Sequence, residues 1–299
     1  MTLPAALAVD LGCRSLLRMT DLAPAELEAI LDLTDELKAA PRGAHRPLEG
    51  RTLGLLFRKH STRTRVSLSV AIAQLGGAAI DLPGDQLQLA RGESLEDTAR
   101  VLSGYLDAIA IRTYEHEALE RFADMATIPV LNALTDDAHP LQALADVHTI
   151  RERLGRVEGV TVAWVGDGNN VCVSLAEACE LLGATFVGAS PKGFEPPGIP
   201  FVRDPREAVA GADVVVTDVW ASMGQEAERA ERLRAFAGYG VDTNLLALAH
   251  PDAIVLHCLP AHPGEEISAD VLYGPRSAAW DAAENRLHTA KALLALTLG

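Results

Sequence analysis

The sequence lacks an excess of basic residues, paired cysteines and long apolar runs, and each shortage argues against a class of protein. Its formal net charge is -15, which argues against general nucleic-acid binding because that depends on neutralising phosphates with Lys and Arg. The four cysteines, at 13, 172, 179 and 258, form no CxxC pair, so reduced thiols in a cytoplasmic protein are expected. No run of about 18 uncharged apolar residues occurs, and no basic stretch precedes the first apolar one, so neither a membrane span nor a secretory signal is expected.

Apolar residues are abundant, and their pattern predicts alternating short strands and helices. Hydrophobic residues make up 48% of 299 residues, enough for one large domain or two moderate ones. Buried strand patterns alternate with helical patterns from residue 51 onwards, which predicts parallel sheets with helices on both faces. The predicted fold class is α/β with two domains, each a parallel sheet flanked by helices, joined by interdomain helices. The predicted domains are 1–138, completed by the C-terminal helix 277–299, and 139–276.

In such sheets, ligands bind beyond the carboxyl ends of the strands, often at helix starts. The basic stretch RKHSTRTRV at 58–66 lies there, between a predicted strand and a predicted helix. Ser61 is a plausible N-cap, and the hydroxyls of Thr62 and Thr64 with the guanidinium of Arg63 suit a phosphate dianion. The alternative is an ordinary capped helix with solvent-facing arginines.

Two further places in the sequence carry candidate polar residues. Arg112 ends a predicted strand, although by itself such an arginine is more often an ion-paired or surface residue. His139 and Gln142 are three residues apart at the start of a helix whose first position is Pro140, so both side chains can face one point. Together they fit stabilisation of a carbonyl oxygen, the alternative being a capping and packing role.

The remaining polar groups follow strands in the second half. VGDGNNV at 165–171 resembles a glycine-rich nucleotide turn but has Val171 where the third glycine belongs, so Asn169 and Asn170 are candidates for capping or for holding a carboxylate. Asp218, in DVWASMGQE, fits an ammonium group or a turn position. HCLPAH at 257–262 contains His257, Cys258 and His262 but no second pair at zinc spacing, so no metal site is predicted. Cys258 is either a nucleophile or an inert buried thiol.

Taken together and in this order, these motifs resemble the aspartate/ornithine carbamoyltransferase family. STRTR at 61–65 and HPLQALAD at 139–146 resemble its carbamoyl-phosphate signature, while DVWASMGQE at 218–226 and HCLPAH resemble its ornithine-specific branch. The resemblance covers nearly the whole chain. One departure is Arg91 in ARGES, where many relatives carry lysine, and no site role is assigned to it.

The resemblance implies a role for each matching residue. The implied catalytic residues are Arg112, His139, Asp218 and Cys258. Those implied for carbamoyl phosphate are Ser61, Thr62, Arg63, Thr64, Gln88, Arg112, His139, Gln142, Cys258, Leu259 and Arg286, with Gln88 reaching a neighbouring subunit's site. Those implied for L-ornithine are Asn170, Asp218, Ser222 and Met223.

The implied reaction moves a carbamoyl group from carbamoyl phosphate to the δ-amine of L-ornithine, giving citrulline and phosphate in arginine biosynthesis or in the arginine deiminase pathway. It needs no cofactor and no metal. The implied partners are the two small substrates and further copies of the chain, as a trimer or a multiple of it. The alternatives are a sister transferase acting on putrescine or N-acetylornithine, a nucleotide-dependent oxidoreductase, and an anion-binding protein without turnover.

Overall fold

The structure is a computed structural model that describes residues 11–84, 87, 92–221 and 228–299. The chain divides into two compact units. The first runs through Ala145 and also takes in Asn285–Gly299, and the second is Asp146–Glu284. The domain boundaries expected from the sequence, after residues 138 and 276, lie a few residues earlier and stay a prediction.

The first unit is built around a parallel sheet. After a 3₁₀ turn at Met19–Asp21 come α1 (Pro24–Ala39), β1 (Thr52–Phe57), α2 (Arg63–Gln74), β2 (Ala78–Pro83), α3 (Leu95–Ser103), β3 (Ala108–Arg112), α4 (His116–Met125) and β4 (Val130–Leu134). In the described residues the strand order is β2-β1-β3-β4, and all the pairs are parallel. Since parallel strands end at the same edge, the ends of β1, β3 and β4 lie side by side.

The second unit repeats this plan. The helix α5 (Pro140–Leu154) runs from the first unit into the second, followed by β5 (Thr161–Val165), α6 (Asn170–Leu181), β6 (Thr185–Ala189), β7 (Phe201–Val202), α7 (Pro205–Val209), β8 (Val214–Thr217), α8 (Arg229–Ala235), α9 (Thr243–Leu246), β9 (Ile254–His257) and α10 (Ala269–Leu272). The last helix, α11 (Ala279–Leu298), returns into the first unit. The strand order among the described residues is β7-β6-β5-β8-β9, again parallel.

Burial explains why these segments are strands. Every residue of β3 and β8 is buried, as expected for central strands of a sheet covered on both faces. Every residue of β9, the last strand in the order of the second sheet, is buried as well. The core of the first sheet includes Leu56, Ile109, Ile111, Leu119, Phe122 and Val130. That of the second includes Val165, Val215, Val241, Val255, Ile267 and Leu272.

The predicted alternation and the two-sheet α/β class are confirmed. The elements missed from the sequence are short: β7 has 2 residues, the 3₁₀ turn has 3, α9 and α10 have 4 each, α7 has 5 and α8 has 7. These are too few for a periodic pattern to emerge. Among the described helices, none combines the length and the apolar character that crossing a membrane requires.

Candidate active site

In the first unit, hydrogen bonds join the strand ends at the carboxyl edge of the sheet. The backbone N–H of Arg58 donates to the carbonyl of Arg112 at 2.8 Å, and that of Thr113 donates to Leu134 at 3.0 Å. Between Ile111 and Arg112 the β3–β4 register shifts by one residue, so Arg112 pairs with Leu134. Such a bulge re-aims the side chains at a strand end. The edge is therefore a fixed platform, and Arg112 lies on it.

A buried lysine reinforces this platform. Lys59 forms an ion pair with Asp136 and lies 4.2 Å from the centroid of the Tyr114 ring. The backbone N–H of Asp136 also donates to the carbonyl of Tyr114 at 2.8 Å. Lys59 therefore supports the fold. Because Asp136 is paired with Lys59, the negative charge of Asp136 does not offset the positive charge of the nearby arginines.

The predicted phosphate loop leads into α2 with a small difference in capping. Thr62, rather than Ser61, is the N-cap residue, and its side chain makes no capping hydrogen bond. Instead the Ser61 hydroxyl accepts from the N–H of Thr64 at 3.3 Å. Thr62 and Arg63 are exposed, whereas Thr64 is buried. The helix start thus presents hydroxyls and a guanidinium to the space above the sheet edge, as an anion site requires.

Arg286 connects the last helix to this loop. Its guanidinium donates to Gln142 Oε1 at 2.6 Å and to Thr64 Oγ1 at 3.0 Å, and the residue is only 4% exposed. Through these two hydrogen bonds, Arg286 of α11 links Gln142 of α5 to Thr64 of α2.

His139 lies within this group of cations. Burial, followed by the charges of Arg286, Arg112 and Arg63, holds the pKa of His139 well below its ordinary value. The imidazole is therefore neutral at physiological pH. Three guanidinium groups acting on one buried histidine also indicate a local field that favours an anion. The structure thus brings together Ser61, Thr62, Arg63, Thr64, Arg112, His139, Gln142 and Arg286.

In the second unit, Asp218 is the focus of a polar cluster at the end of β8. Asp218 is buried and accepts hydrogen bonds from Asn169 Nδ2 at 2.8 Å, the Val219 N–H at 2.8 Å and Cys258 Sγ at 2.7 Å. These donors fix the orientation of its carboxylate. Asn169 also caps α6, since its Oδ1 accepts from the backbone N–H groups of Val171 and Cys172.

Of the two asparagines considered from the sequence, Asn169 is the cap, while Asn170 is the first residue of α6 and is half-buried. The glycine-rich turn before them is closely packed. A Cβ on Gly168 would lie 2.2 Å from Pro196 and 2.7 Å from the Phe194 carbonyl, and the Gly168 N–H donates to that carbonyl. The chain itself occupies the space next to this glycine, which further weakens a dinucleotide site.

His257 has a fixed tautomer in this cluster. Its Nδ1 accepts from the Leu259 N–H at 2.9 Å, so Nε2 carries the proton and faces Glu266 Oε1 at 3.2 Å. Burial alone would raise the pKa of Glu266, but hydrogen bonds from His257 and the His262 backbone outweigh it and lower the pKa. Asp218, His257 and Cys258 have ligand-type atoms within 4.8 Å of one another, yet both ring nitrogens of His257 are engaged with protein atoms. The prediction of no metal stays a prediction.

Three predicted site residues, Gln88, Ser222 and Met223, lie outside the described residues, as does Arg91. Sequence reasoning in turn missed the supporting groups: His116, Thr135, Asp136, Asn169 as the partner of Asp218, and Glu266. Thr135 and Asp136 lie shortly before the HPLQ motif, and Glu266 lies shortly after HCLPAH. Proximity to a motif was therefore the only available signal.

Comparison with known proteins agrees with both halves of the molecule. Residues 14–152 match the family model "Aspartate/ornithine carbamoyltransferase, carbamoyl-P binding domain". Residues 158–297 match the corresponding "Asp/Orn binding domain". The chain belongs to the aspartate/ornithine carbamoyltransferase family. The resemblance inferred from the motifs is confirmed, and the two family domains correspond to the two sheets.

Individual members of the aspartate/ornithine carbamoyltransferase family are similar over almost the full chain. An ornithine carbamoyltransferase of Acidothermus cellulolyticus is 54% identical, covering 95% of this chain and 96% of the relative. The solved structure of the Pyrococcus furiosus ornithine carbamoyltransferase has a TM-score of 0.92 and 49% identity, covering 98% and 99%. The Thermus thermophilus structure has a TM-score of 0.89 and 45% identity, covering 100% of both chains.

Proposed function

We propose that the chain transfers the carbamoyl group of carbamoyl phosphate to the δ-amine of L-ornithine, giving L-citrulline and phosphate. The observation that carries this proposal is the neutral, buried His139 among three arginines, directly beside a helix start with Ser61, Thr62 and Thr64. The names of the similar proteins support ornithine as the acceptor.

The first unit provides for carbamoyl phosphate. The phosphate is held by Ser61, Thr62, Arg63 and Thr64. Arg286 is itself held in position by its hydrogen bonds to Thr64 and Gln142. Attack on the carbamoyl carbon places negative charge on the carbonyl oxygen, which Arg112, His139 and Thr64 stabilise. Loss of one such donor typically lowers the rate by about 10²- to 10³-fold. Phosphate then departs into a cradle of matching charge.

The second unit provides for ornithine. Asp218, with Ser222 and Met223, binds the α-amine end, and Asn170 binds the carboxylate. Cys258 and Leu259 line the reacting end. The δ-amine must attack as the free base, although an alkyl amine has an ordinary pKa of about 10.4. The site must therefore favour the neutral amine by removing water and placing it against the carbamoyl carbon.

We infer that the chain acts as a homotrimer, or a multiple of one, in which Gln88 reaches a neighbouring subunit's site. We further place it in the cytoplasm, in arginine biosynthesis or the arginine deiminase pathway. These inferences rest on the family resemblance. The reaction uses neither a metal nor an organic cofactor in this scheme, because side chains supply all the charge stabilisation.

A substrate panel tests the proposed reaction. The purified chain is given carbamoyl phosphate with ornithine, putrescine, N-acetylornithine or aspartate, and the carbamoylated product and phosphate are both measured. Citrulline with equimolar phosphate from ornithine alone is the expected result. Preference for another amine would overturn the acceptor assignment. Phosphate binding without turnover would identify an anion-binding protein, and NAD(H) binding would favour an oxidoreductase.

A further inference from the structure

Behind His139 lies a buried polar network that no substrate role explains. The turn between β4 and α5 is closed by Thr135 and Ala138. The Thr135 N–H donates to the Ala138 carbonyl at 2.9 Å, and the Ala138 N–H donates to Thr135 Oγ1 at 3.2 Å. Since His139 follows Ala138 directly, these two bonds determine the backbone from which the His139 side chain projects.

His116, at the first position of α4, holds the Thr135 hydroxyl from behind. Its Nδ1 lies 2.8 Å from Thr135 Oγ1, and both residues are buried. Burial and the charge of Arg18 lower the pKa of His116, against the opposing effect of Glu120, so its neutral ring can accept the hydroxyl hydrogen. Burying a histidine and a hydroxyl costs free energy unless the two groups are hydrogen-bonded, because each desolvated polar group must be satisfied.

Asn132 completes the network from β4. Its Oδ1 accepts from the Leu134 N–H at 2.9 Å, and its Nδ2 donates to the Leu17 carbonyl at 2.8 Å. Leu134 has a φ of 145°, which is unfavourable for a residue with a Cβ. The turn is thus held in a strained backbone conformation by the surrounding hydrogen bonds, as is common for segments that place functional groups.

We propose that Thr135 and His116 are positioning residues that fix the orientation of His139 for catalysis. Neither is assigned a contact with substrate. They act through the backbone of Ala138 and His139. Thr135 is hydrogen-bonded to Ala138 directly, and His116 acts through the Thr135 hydroxyl. The inference rests on the proposed role of His139 as a donor to the carbamoyl oxygen, and it adds the reason why that donor is held in place.

The test uses paired substitutions in the full-length protein. Thr135→Val removes the hydroxyl with little change of shape, and Thr135→Ser restores it. His116→Leu removes the ring nitrogen, and His116→Asn places a polar atom near the Nδ1 position. We expect Thr135→Val and His116→Leu to lower kcat by about 10- to 10²-fold, the usual effect of small misplacement. KM for carbamoyl phosphate should change little, and Ser and Asn should recover most of the lost kcat.

A matched control separates positioning from stability. Thr34, also buried in the first unit, donates to the Ile30 carbonyl within α1 at 2.7 Å. Thr34→Val removes a buried hydroxyl remote from the network, and kcat measured on folded protein should be unchanged. If Thr34→Val and Thr135→Val lowered kcat equally, or if Thr135→Ser recovered nothing, the network would have only a structural role.

A double-mutant cycle links the effect to His139. With His139→Ala as background, Thr135→Val should cause little further loss of kcat, because the group it positions is gone. A full additional loss in that background would overturn the positioning inference. Undiminished kcat in His139→Ala alone would instead overturn the proposed role of His139.

Discussion

At the scale of single residues, the arginines of the first unit differ in what surrounds them. Arg112 and Arg286 are buried, and Arg286 is held by two hydrogen bonds within the protein. Arg63 is exposed at the start of α2. Removing a buried arginine leaves its partners unsatisfied, so its effect on binding mixes with an effect on folding. Arg63 is therefore the more informative position for testing the phosphate site.

Arg63→Ala should weaken the binding of inorganic phosphate and carbamoyl phosphate by about 10- to 10²-fold, the usual worth of a charged hydrogen bond. Calorimetric titration measures the affinity, and the thermal unfolding midpoint should hardly change. Arg58→Ala is the matched control, because Arg58 is also exposed but is not among the residues proposed to hold the phosphate. Equal losses in the two variants would contradict the division of the basic stretch.

Asp218→Asn should raise KM for ornithine by at least about 10-fold, since the neutral amide cannot balance an ammonium group. Steady-state kinetics with ornithine as the varied substrate measures this effect. Phosphate affinity, measured on the same preparation, should remain unchanged because the phosphate cradle belongs to the other unit. A comparable loss of phosphate affinity would show that Asp218 acts through the fold instead.

At the scale of elements, the strands and longer helices were predictable because their burial imposes a periodic pattern. The carboxyl-edge rule also located Arg112 and Asp218 correctly at strand ends. What the sequence could not show is which neighbour each side chain would meet. Arg286 meets Thr64, 222 positions earlier, and His116 meets Thr135 across a strand. Such pairings depend on tertiary packing, which produces no periodic pattern in the local sequence.

Asn169 has two roles, capping α6 and donating a hydrogen bond to Asp218. Two substitutions separate these roles. Asn169→Ala should cost about 1 kcal/mol of stability through loss of the α6 cap, and it should also raise KM for ornithine. Asn169→Ser retains a capping oxygen but lacks the donor to Asp218. Serine should therefore preserve the denaturation midpoint while KM for ornithine stays high. Normal KM in the serine variant would show that the Asn169–Asp218 hydrogen bond is dispensable.

At the scale of the whole molecule, buried histidines couple stability to pH. The pKa of His139 is well below its ordinary value, and that of His116 is also lowered. Below about pH 6.5 the unfolded chain protonates these rings while the folded chain does not, so stability falls as pH falls. Asp167, whose pKa burial raises to about 6, works in the opposite direction by binding a proton preferentially when folded.

Each ring that stays neutral costs about 1.4 kcal/mol per pH unit below its unfolded pKa. His139→Asn should therefore flatten the decline of the unfolding midpoint between about pH 6.5 and 5. An unchanged slope in His139→Asn would contradict the lowered pKa.

Subunit mixing tests the proposed trimer. If Gln88 reaches a neighbouring site, an Arg63→Ala chain and a Gln88→Ala chain, each impaired alone, should recover activity when dissociated and reassembled together. Some mixed trimers then contain a site in which both residues are intact. Sedimentation analysis should show an assembly of three chains or a multiple. Absence of recovery in verified mixed assemblies would contradict a shared site.

The division of the chain also has a consequence for its synthesis. Every residue of the second unit is translated before Asn285, whereas the first unit also needs Asn285–Gly299. The first unit is therefore incomplete until the second has been synthesised. The usual order, in which the N-terminal domain folds first during synthesis, cannot be completed here. Because Arg286 belongs to that last segment, its hydrogen bond to Thr64 forms only after the whole second unit has been synthesised.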